Sequence, residues 1–235
     1  MVYIGAIEEC EMGRQRVPNE TIRRLPMYLR ALLVCPADKR IISSDELADH
    51  VGLNSPQVRK DLSYFGAFGT PGVGYDVPQL TERIRDILGI QQAPRVALVG
   101  AGKLGRALVF FEGFKMYGFE IAAVFDNSPR KIGRKIGNLT VESLASIGRL
   151  DHRDIRLAIL AVPAEASQEV AETLVAAGVT GILNMTFCRL KLPPHVKVAT
   201  IDAAMELGVL PYYMNDAGSD EASAGPNGST DRITV

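Results

Sequence analysis

The spacing of apolar residues changes character along the chain and divides it into two units. In "PNETIRRLPMYLRALLVC", Ile22, Leu25, Leu29, Leu32 and Leu33 recur at helical spacing, with Pro26 placed to kink that helix. In "SSDELADHVGLNSPQVRKDLSYFG", Ser43 with Glu46 three residues on is a capping-box signal for a helix that runs to about Val51. Gly52 suits the left-handed turn that ends it. Ser55 is expected to cap the next helix, with Pro56 at its first position. Two short helices joined by a glycine turn form a helix-turn-helix, here about Leu25 to Phe65. Leu47, Ala48, Val51, Leu53, Val58 and Leu62 face its core. The glycines of "AFGTPGVGY" then make a tight hairpin, the wing of a winged helix.

Beyond Gly89 the pattern becomes strand–helix alternation. "RVALVG", "EIAAVFD", "RLAILAVP", "GILNMT" and "VKVATID" read as strands, and "AEASQEVAETLVAAG" reads as a helix ended by Gly178. Such alternation predicts a doubly wound parallel α/β sheet covered on both faces. The expected division is a flexible leader at 1–16, a winged-helix unit at 17–76 and a connecting helix with linker at 77–92. A Rossmann-type unit at 93–211 and a disordered acidic tail at 212–235 complete the chain. In "DVPQLTERIRDILG" the apolar face of the connector is Leu80, Ile84, Ile87 and Leu88.

Two sets of residues carry candidate chemistry. On the outer face of the second short helix lie Gln57, Arg59, Lys60, Ser63 and Tyr64, types suited to base edges and phosphates, with Ser55 and wing Gly72 beside them. The second set is Gly100-x-Gly102-x-x-Gly105, after a strand and opening a helix, which is the context a dinucleotide fingerprint requires. Gly100 makes the turn, Gly102 admits the pyrophosphate, Gly105 lets helix and strand pack, and Ala101, Lys103 and Leu104 complete the loop. Asp126 ends the next strand about 20 residues on, where an acid bonds the ribose hydroxyls of NAD(H). Arg130 and Lys131 just downstream weaken its preference over a 2′-phosphate. Val162, Pro163, Asn184 and Asp202 lie at strand ends, where ligands bind in such sheets.

Charge sharpens the first set. Residues 14–75 hold nine Lys/Arg against six Asp/Glu, while the whole chain has a net charge of −1. Enzyme chemistry is poorly supplied: His50, His152 and His195 fall on the helix-turn-helix or in loops, with no partnering acid at a strand end. Cys10, Cys35 and Cys188 show no disulfide or zinc spacing, leaving Cys188 alone near the ligand rim. No apolar run approaches the roughly 18–20 residues of a membrane span. The N-terminus lacks a signal-peptide pattern, so a cytoplasmic protein with no membrane partner is expected.

Taken together, "RLPMYLRAL", "SSDELADHVGLNSPQVRKDLSYFGAFG", "GVGY", "VGAGKLGRAL", "LAVPAEASQ" and "AGVTGILNMT" resemble the Rex family of bacterial redox-sensing repressors, from about Val17 to Leu210. The resemblance implies a homodimer that binds palindromic double-stranded operator DNA through its winged helix and releases it when NADH binds. It also implies switch residues at Arg30, Phe111 and Asp202. Phe111 stands where the family has tyrosine, Ala203 where it has a bulky residue, and Pro71 where its wing has a base. The family's terminal helix, which swaps into the partner subunit, matches a segment broken by Pro211. Two alternatives stay open: an NAD(H)-dependent oxidoreductase with an accessory helical domain, and a Rex-like DNA-binding paralogue that no longer responds to NADH.

Overall fold

The computed structural model describes residues 3–4 and 17–221. The N-terminal unit is built from α1 (Asn19–Leu33), α2 (Ser44–Val51), α3 (Ser55–Ser63) and α4 (Val77–Leu88), with strands β2 (Ile41–Ile42), β3 (Gly69–Thr70) and β4 (Gly74–Asp76). Helix α1 runs through Pro26 without a break. The Ser43–Glu46 capping box closes the start of α2, and Gly52 ends it at φ +67°. The cap of α3 is Asn54, whose side chain accepts from the Gln57 amide, and not Ser55, which is the first helical residue. Both are good cap types, so spacing alone left the register one residue off.

Helix α4 is no mere connector. Val77, Leu80 and Ile84 are buried in one cluster with Leu25, Leu29, Leu47, Val58 and Leu62, so the segment read as 77–92 linker closes the first core. Strands β2, β4 and β3 pair antiparallel in that order and form the wing. Its tip is a turn in which the Val73 amide donates to the Thr70 carbonyl at 3.0 Å, with Pro71 second and Gly72 third at φ +78°. That is a type II turn, which requires a positive φ at its third residue.

The C-terminal unit is one sheet. Its parallel strands are β5 (Arg95–Val99), β6 (Glu120–Asp126), β8 (Leu139–Ser143), β9 (Leu157–Leu160), β10 (Gly181–Asn184) and β11 (Lys197–Thr200). Antiparallel edges are added by β1 (Tyr3–Ile4) and β7 (Lys135–Ile136), giving the order β1-β11-β10-β9-β5-β6-β8-β7. Part of the segment expected to be a loose leader is therefore an edge strand; the rest of 1–16 lies outside the described residues. Strand order reverses between β5 and β9, the switch point where doubly wound sheets bind ligands. Helices α5 (Lys103–Val109) and α6 (Glu112–Met116) follow β5, and α7 (Ala164–Ala176) follows β9.

Among the described residues both faces of the sheet carry helices, α7 on one and α5 with α6 on the other, but the second face is covered only in part. The β10-to-β11 connection contains no helix, and an apolar groove of about 320 Å³ lined by Phe114, Ile121, Leu157, Ile159, Leu183 and Val198 stays open. Helix α8 (Ala203–Glu221) contains Pro211 and continues well into the segment expected to be disordered; residues 222–235 lie outside the described residues. Met205, Leu207, Val209, Leu210, Tyr212, Tyr213 and Met214 are all exposed on it. Over residues 203–214 the apolar side chains fall on every side of the helix, so no periodic stripe marks it in the sequence.

Candidate nucleic-acid interface and dinucleotide cleft

Helix α3 is held by a buried charge that the sequence pattern did not single out. Asp61 is 0% exposed and accepts from Thr21 Oγ1 at 2.9 Å, Arg24 Nη2 at 2.8 Å, Tyr28 OH at 2.6 Å and Gln57 Nε2 at 2.8 Å. Arg24 Nε adds a second, parallel bond, making a bidentate pair. Burial pushes the Asp61 carboxyl up, but the bonds from Arg24, Tyr28, Gln57 and Thr21 outweigh it and hold it at about 2. Burial and the Asp61 charge together push the Tyr28 phenol well above its ordinary range. The network ties α3 to α1, and its signal was a lone acid in a basic helix.

This network corrects the reading of Gln57. Its amide is half-buried and committed to Asp61, four residues on, so it braces the helix rather than facing outward. Arg59, Lys60 and Ser63 are exposed, and Ser55 and Tyr64 are half-buried. Arg59 Nη1 donates to Ser44 Oγ at 2.7 Å, at the start of α2, and Ser63 Oγ donates to the Lys60 carbonyl at 2.7 Å. A cleft of about 510 Å³ runs between α3 and the wing, with Arg59, Ser63, Thr70, Pro71 and Gly72 on its walls. The wing tip is exposed and carries no charge: Thr70, Pro71, Gly72, Val73.

The glycine loop has the geometry of a dinucleotide site. A Cβ on Gly105 would overlap the Gly100 carbonyl oxygen, and one on Gly100, at φ +105°, would overlap the Ala161 carbonyl oxygen. Gly102 differs: its added Cβ would meet nothing within 4 Å. So two glycines serve packing, and the third keeps open the space at the α5 N-terminus, where backbone amides favour an anion. Lys103 and Leu104 sit beside it.

The cleft, about 440 Å³, spans the switch point and has two chemically different ends. Gly102, Lys103, Asp126, Asn127 and Lys131 make the polar end; Val162, Pro163, Met185 and Phe187 make the apolar end. Asp126 is nearly buried and accepts from the Ala101 amide, the Ser128 amide and Lys131 Nζ, at 2.8, 2.8 and 2.9 Å. Burial would raise its carboxyl, but Lys131 and the two amides outweigh that and hold it below the usual range. The Ala101 amide is thereby committed within the protein and is not a phosphate donor. The glycine cradle, helix N-terminus and shielded acid together fit a dinucleotide.

Four predicted site residues stand elsewhere. Asn184 is fully buried and does not line the cleft. Its amide donates to the Cys188 carbonyl at 2.8 Å, and its oxygen accepts from the Thr186 amide at 3.1 Å and Thr186 Oγ1 at 2.6 Å. It therefore staples the loop after β10. Asp202 accepts from the Ala204 and Met205 amides at 3.0 and 3.1 Å and caps α8. Arg30 is exposed on α1. Phe111 is exposed beyond α5, its ring edge-on to Phe114 at 5.3 Å.

Comparison with known proteins agrees with this two-part plan. Residues 16–63 match a family described as a putative DNA-binding protein N-terminus, and residues 91–188 match a CoA binding domain. A redox-sensing transcriptional repressor Rex from Chloroflexus aurantiacus is 44% identical over 84% of this chain and 94% of its own. That from Streptomyces coelicolor is 39% identical over 88% of this chain and 81% of its own. Among solved structures, RSP in complex with β-NAD⁺ and operator DNA is similar at a TM-score of 0.78 and 32% identity, covering 90% of this chain and all of RSP. RSP in complex with β-NADH gives 0.77 and 31%, covering 89% and 99%. Identity of this extent, spread over both the helix-turn-helix and the dinucleotide fold, shows that the chain belongs to the Rex family of redox-sensing transcriptional repressors.

Proposed function

We propose that this protein is a transcriptional repressor that binds a palindromic operator as a homodimer and releases it when NADH binds, so that it reads the NADH/NAD⁺ ratio. The observation that carries this is one chain holding an exposed basic recognition helix and a dinucleotide cleft, in a family whose member RSP is solved with operator DNA and both cofactor forms. Arg59, Lys60 and Ser63 contact DNA, with Ser55 and Tyr64 at the ends of the helix and Gly72 at the wing tip. Arg59 exchanges its bond to Ser44 for base or phosphate. Gly102, Lys103 and the α5 N-terminus hold the pyrophosphate, and Asp126, oriented by Lys131, takes the ribose. The bound cofactor supplies a ring whose charge differs between its two redox forms, and Val162 and Pro163 give that ring an apolar wall. An apolar wall disfavours the cationic NAD⁺ ring. The protein works in the cytoplasm, and among the described residues no helix is long and apolar enough to cross a membrane.

Two surfaces that the described residues of one chain leave uncovered support the dimer, the open sheet groove and the apolar part of helix α8. Such apolar area costs about 25 cal/mol per Å² to leave in water. Replacing Leu207 and Leu210 together by aspartate is expected to convert the dimer to monomer in sedimentation, and to abolish binding to a two-half-site operator. A stable dimer in that variant contradicts the role given to α8. Selection from random duplex DNA is expected to return inverted repeats whose half-sites lie about one helical turn, or a multiple, apart. Recovery of single, non-repeated sites overturns the palindrome reading.

The wing makes a separate expectation. Its type II turn accepts many residues at position 71, so Pro71→Arg keeps the fold. The added charge is expected to tighten binding to A·T-rich flanks and to steepen the dependence of log K on log salt by up to about 1. Unchanged affinity and slope in a salt series contradict minor-groove contact by the wing.

A further inference from the structure

The structure assigns Phe187 as the ring-stacking residue of the dinucleotide cleft, the side chain that holds the nicotinamide end of the cofactor. This rests on the cofactor reading above. Phe187 is 67% exposed, a large aromatic left in water, and it lines the cleft at its apolar end with Val162, Pro163 and Met185. Its backbone sits at φ +59°, a conformation that a bulky L-residue rarely adopts. Nothing in simple folding rewards an exposed phenyl in that conformation. The loop is nevertheless held there from several sides. Asn184 grips Thr186 and Cys188 on either side of Phe187, and the Met185 amide donates to the Leu160 carbonyl at 3.0 Å. Strain that the surroundings over-determine is the pattern of a ligand clamp.

Position in the sheet supplies the rest. The polar end of the cleft, with Asp126 and Lys131, follows β6, and the phosphate cradle follows β5. A dinucleotide lying across the switch point therefore carries its second ring beyond β9 and β10, where Phe187 projects. Asn184 is then a positioning residue, acting on the ligand only through the loop it staples.

The test compares cofactors with and without the nicotinamide ring. Wild type, Phe187→Ala and Phe187→Gly are titrated by calorimetry with NADH, NAD⁺ and ADP-ribose, which shares everything but that ring. Both variants are expected to lose about tenfold in affinity for NADH and NAD⁺ while binding ADP-ribose as wild type does. Phe187→Gly is also expected to melt no lower than wild type, since glycine adopts a positive φ without strain. A second readout uses the absence of tryptophan from the chain. In Phe187→Trp, NAD⁺ is expected to quench the single tryptophan by contact, and ADP-ribose is not. Equal losses for ADP-ribose and NADH, or no loss for either, overturn the assignment. So does a variant that binds NADH normally but dissociates as a dimer, which places Phe187 in the subunit interface. If wild type binds ADP-ribose but the ring adds nothing to affinity, the stacking role fails while the site stands. If wild type binds none of the three, the cofactor reading falls and this assignment with it.

Discussion

Asp61→Ala is expected to destabilise the N-terminal unit by about 3–5 kcal/mol, the usual consequence of removing one partner of a buried ion pair. The substitution orphans Tyr28 OH and Thr21 Oγ1, both in the core, and leaves the Arg24 guanidinium facing an empty site. It also frees α3 from α1, so operator affinity is expected to fall with stability. The wild-type pair has a matching acid signature. Asp61 holds its carboxyl at about 2, below the ordinary 3.8, so it binds its proton later in the folded state than in the unfolded one. Its contribution, on the order of 2–3 kcal/mol, is fully present above the unfolded value and is lost as pH falls from about 4 to 2. In Asp61→Asn that loss is expected to be absent. Urea unfolding at neutral pH and across the acid range checks both statements. A change below about 1 kcal/mol for Asp61→Ala, close to the scatter of surface substitutions, contradicts the role given to the network.

The second large effect separates two glycines of one motif. Gly105→Val is expected to cost about 3 kcal/mol or more, because its Cβ overlaps the Gly100 carbonyl oxygen and must push α5 off β5. Dinucleotide binding is expected to be lost with it. Gly102→Ala is expected to cost under about 1 kcal/mol, since its Cβ meets no protein atom and glycine is an ordinary helix cap. Its binding is nevertheless expected to fall steeply, because the methyl group stands where the pyrophosphate approaches. Thermal melts with and without NADH distinguish the two. A Gly102→Ala protein with unaltered NADH affinity contradicts the placement of the phosphates at the α5 N-terminus.

What the sequence made legible follows from local chemistry. The Ser43–Glu46 box, the positive φ at Gly52 and the glycine fingerprint each depend on residues within a few positions of one another. Their physics is contained in the stretch that displays it. The misread features depend on distant partners. Gln57 looks like a base-reading residue until Asp61, Arg24 and Tyr28 meet it across the helix pair. Asn184 sits at a strand end, as a ligand residue would, yet its hydrogen bonds are spent on the loop beside it. Helix α4 has an apolar face that suits a connector as well as a core, and only its packing against α1 decides. Helix α8 gives no periodic signal because its apolar side chains fall on every side, and no other described part of the chain covers them. Phe187 lies three residues beyond the end of β10, and only the fold of that loop brings it to the cleft beside Val162 and Pro163.

Helix α1 links the two units directly. Tyr117 OH, from the loop after α6, donates to the Pro26 carbonyl at 3.3 Å, and Tyr117 and Phe119 pack against the N-terminal core. The two units are therefore joined by packed side chains as well as by the chain that connects them. A ligand shifts such an arrangement only by its differential affinity for the two states.

The most direct measurement is the affinity of the dimer for its selected operator, at one fixed salt concentration, titrated with NADH and separately with NAD⁺. NADH is expected to weaken operator binding by about 5- to 150-fold, the range of ordinary allosteric coupling, and NAD⁺ is expected to leave it nearly unchanged. Operator affinity that is the same with saturating NADH as without it contradicts the claim that this repressor senses the redox state of the nucleotide.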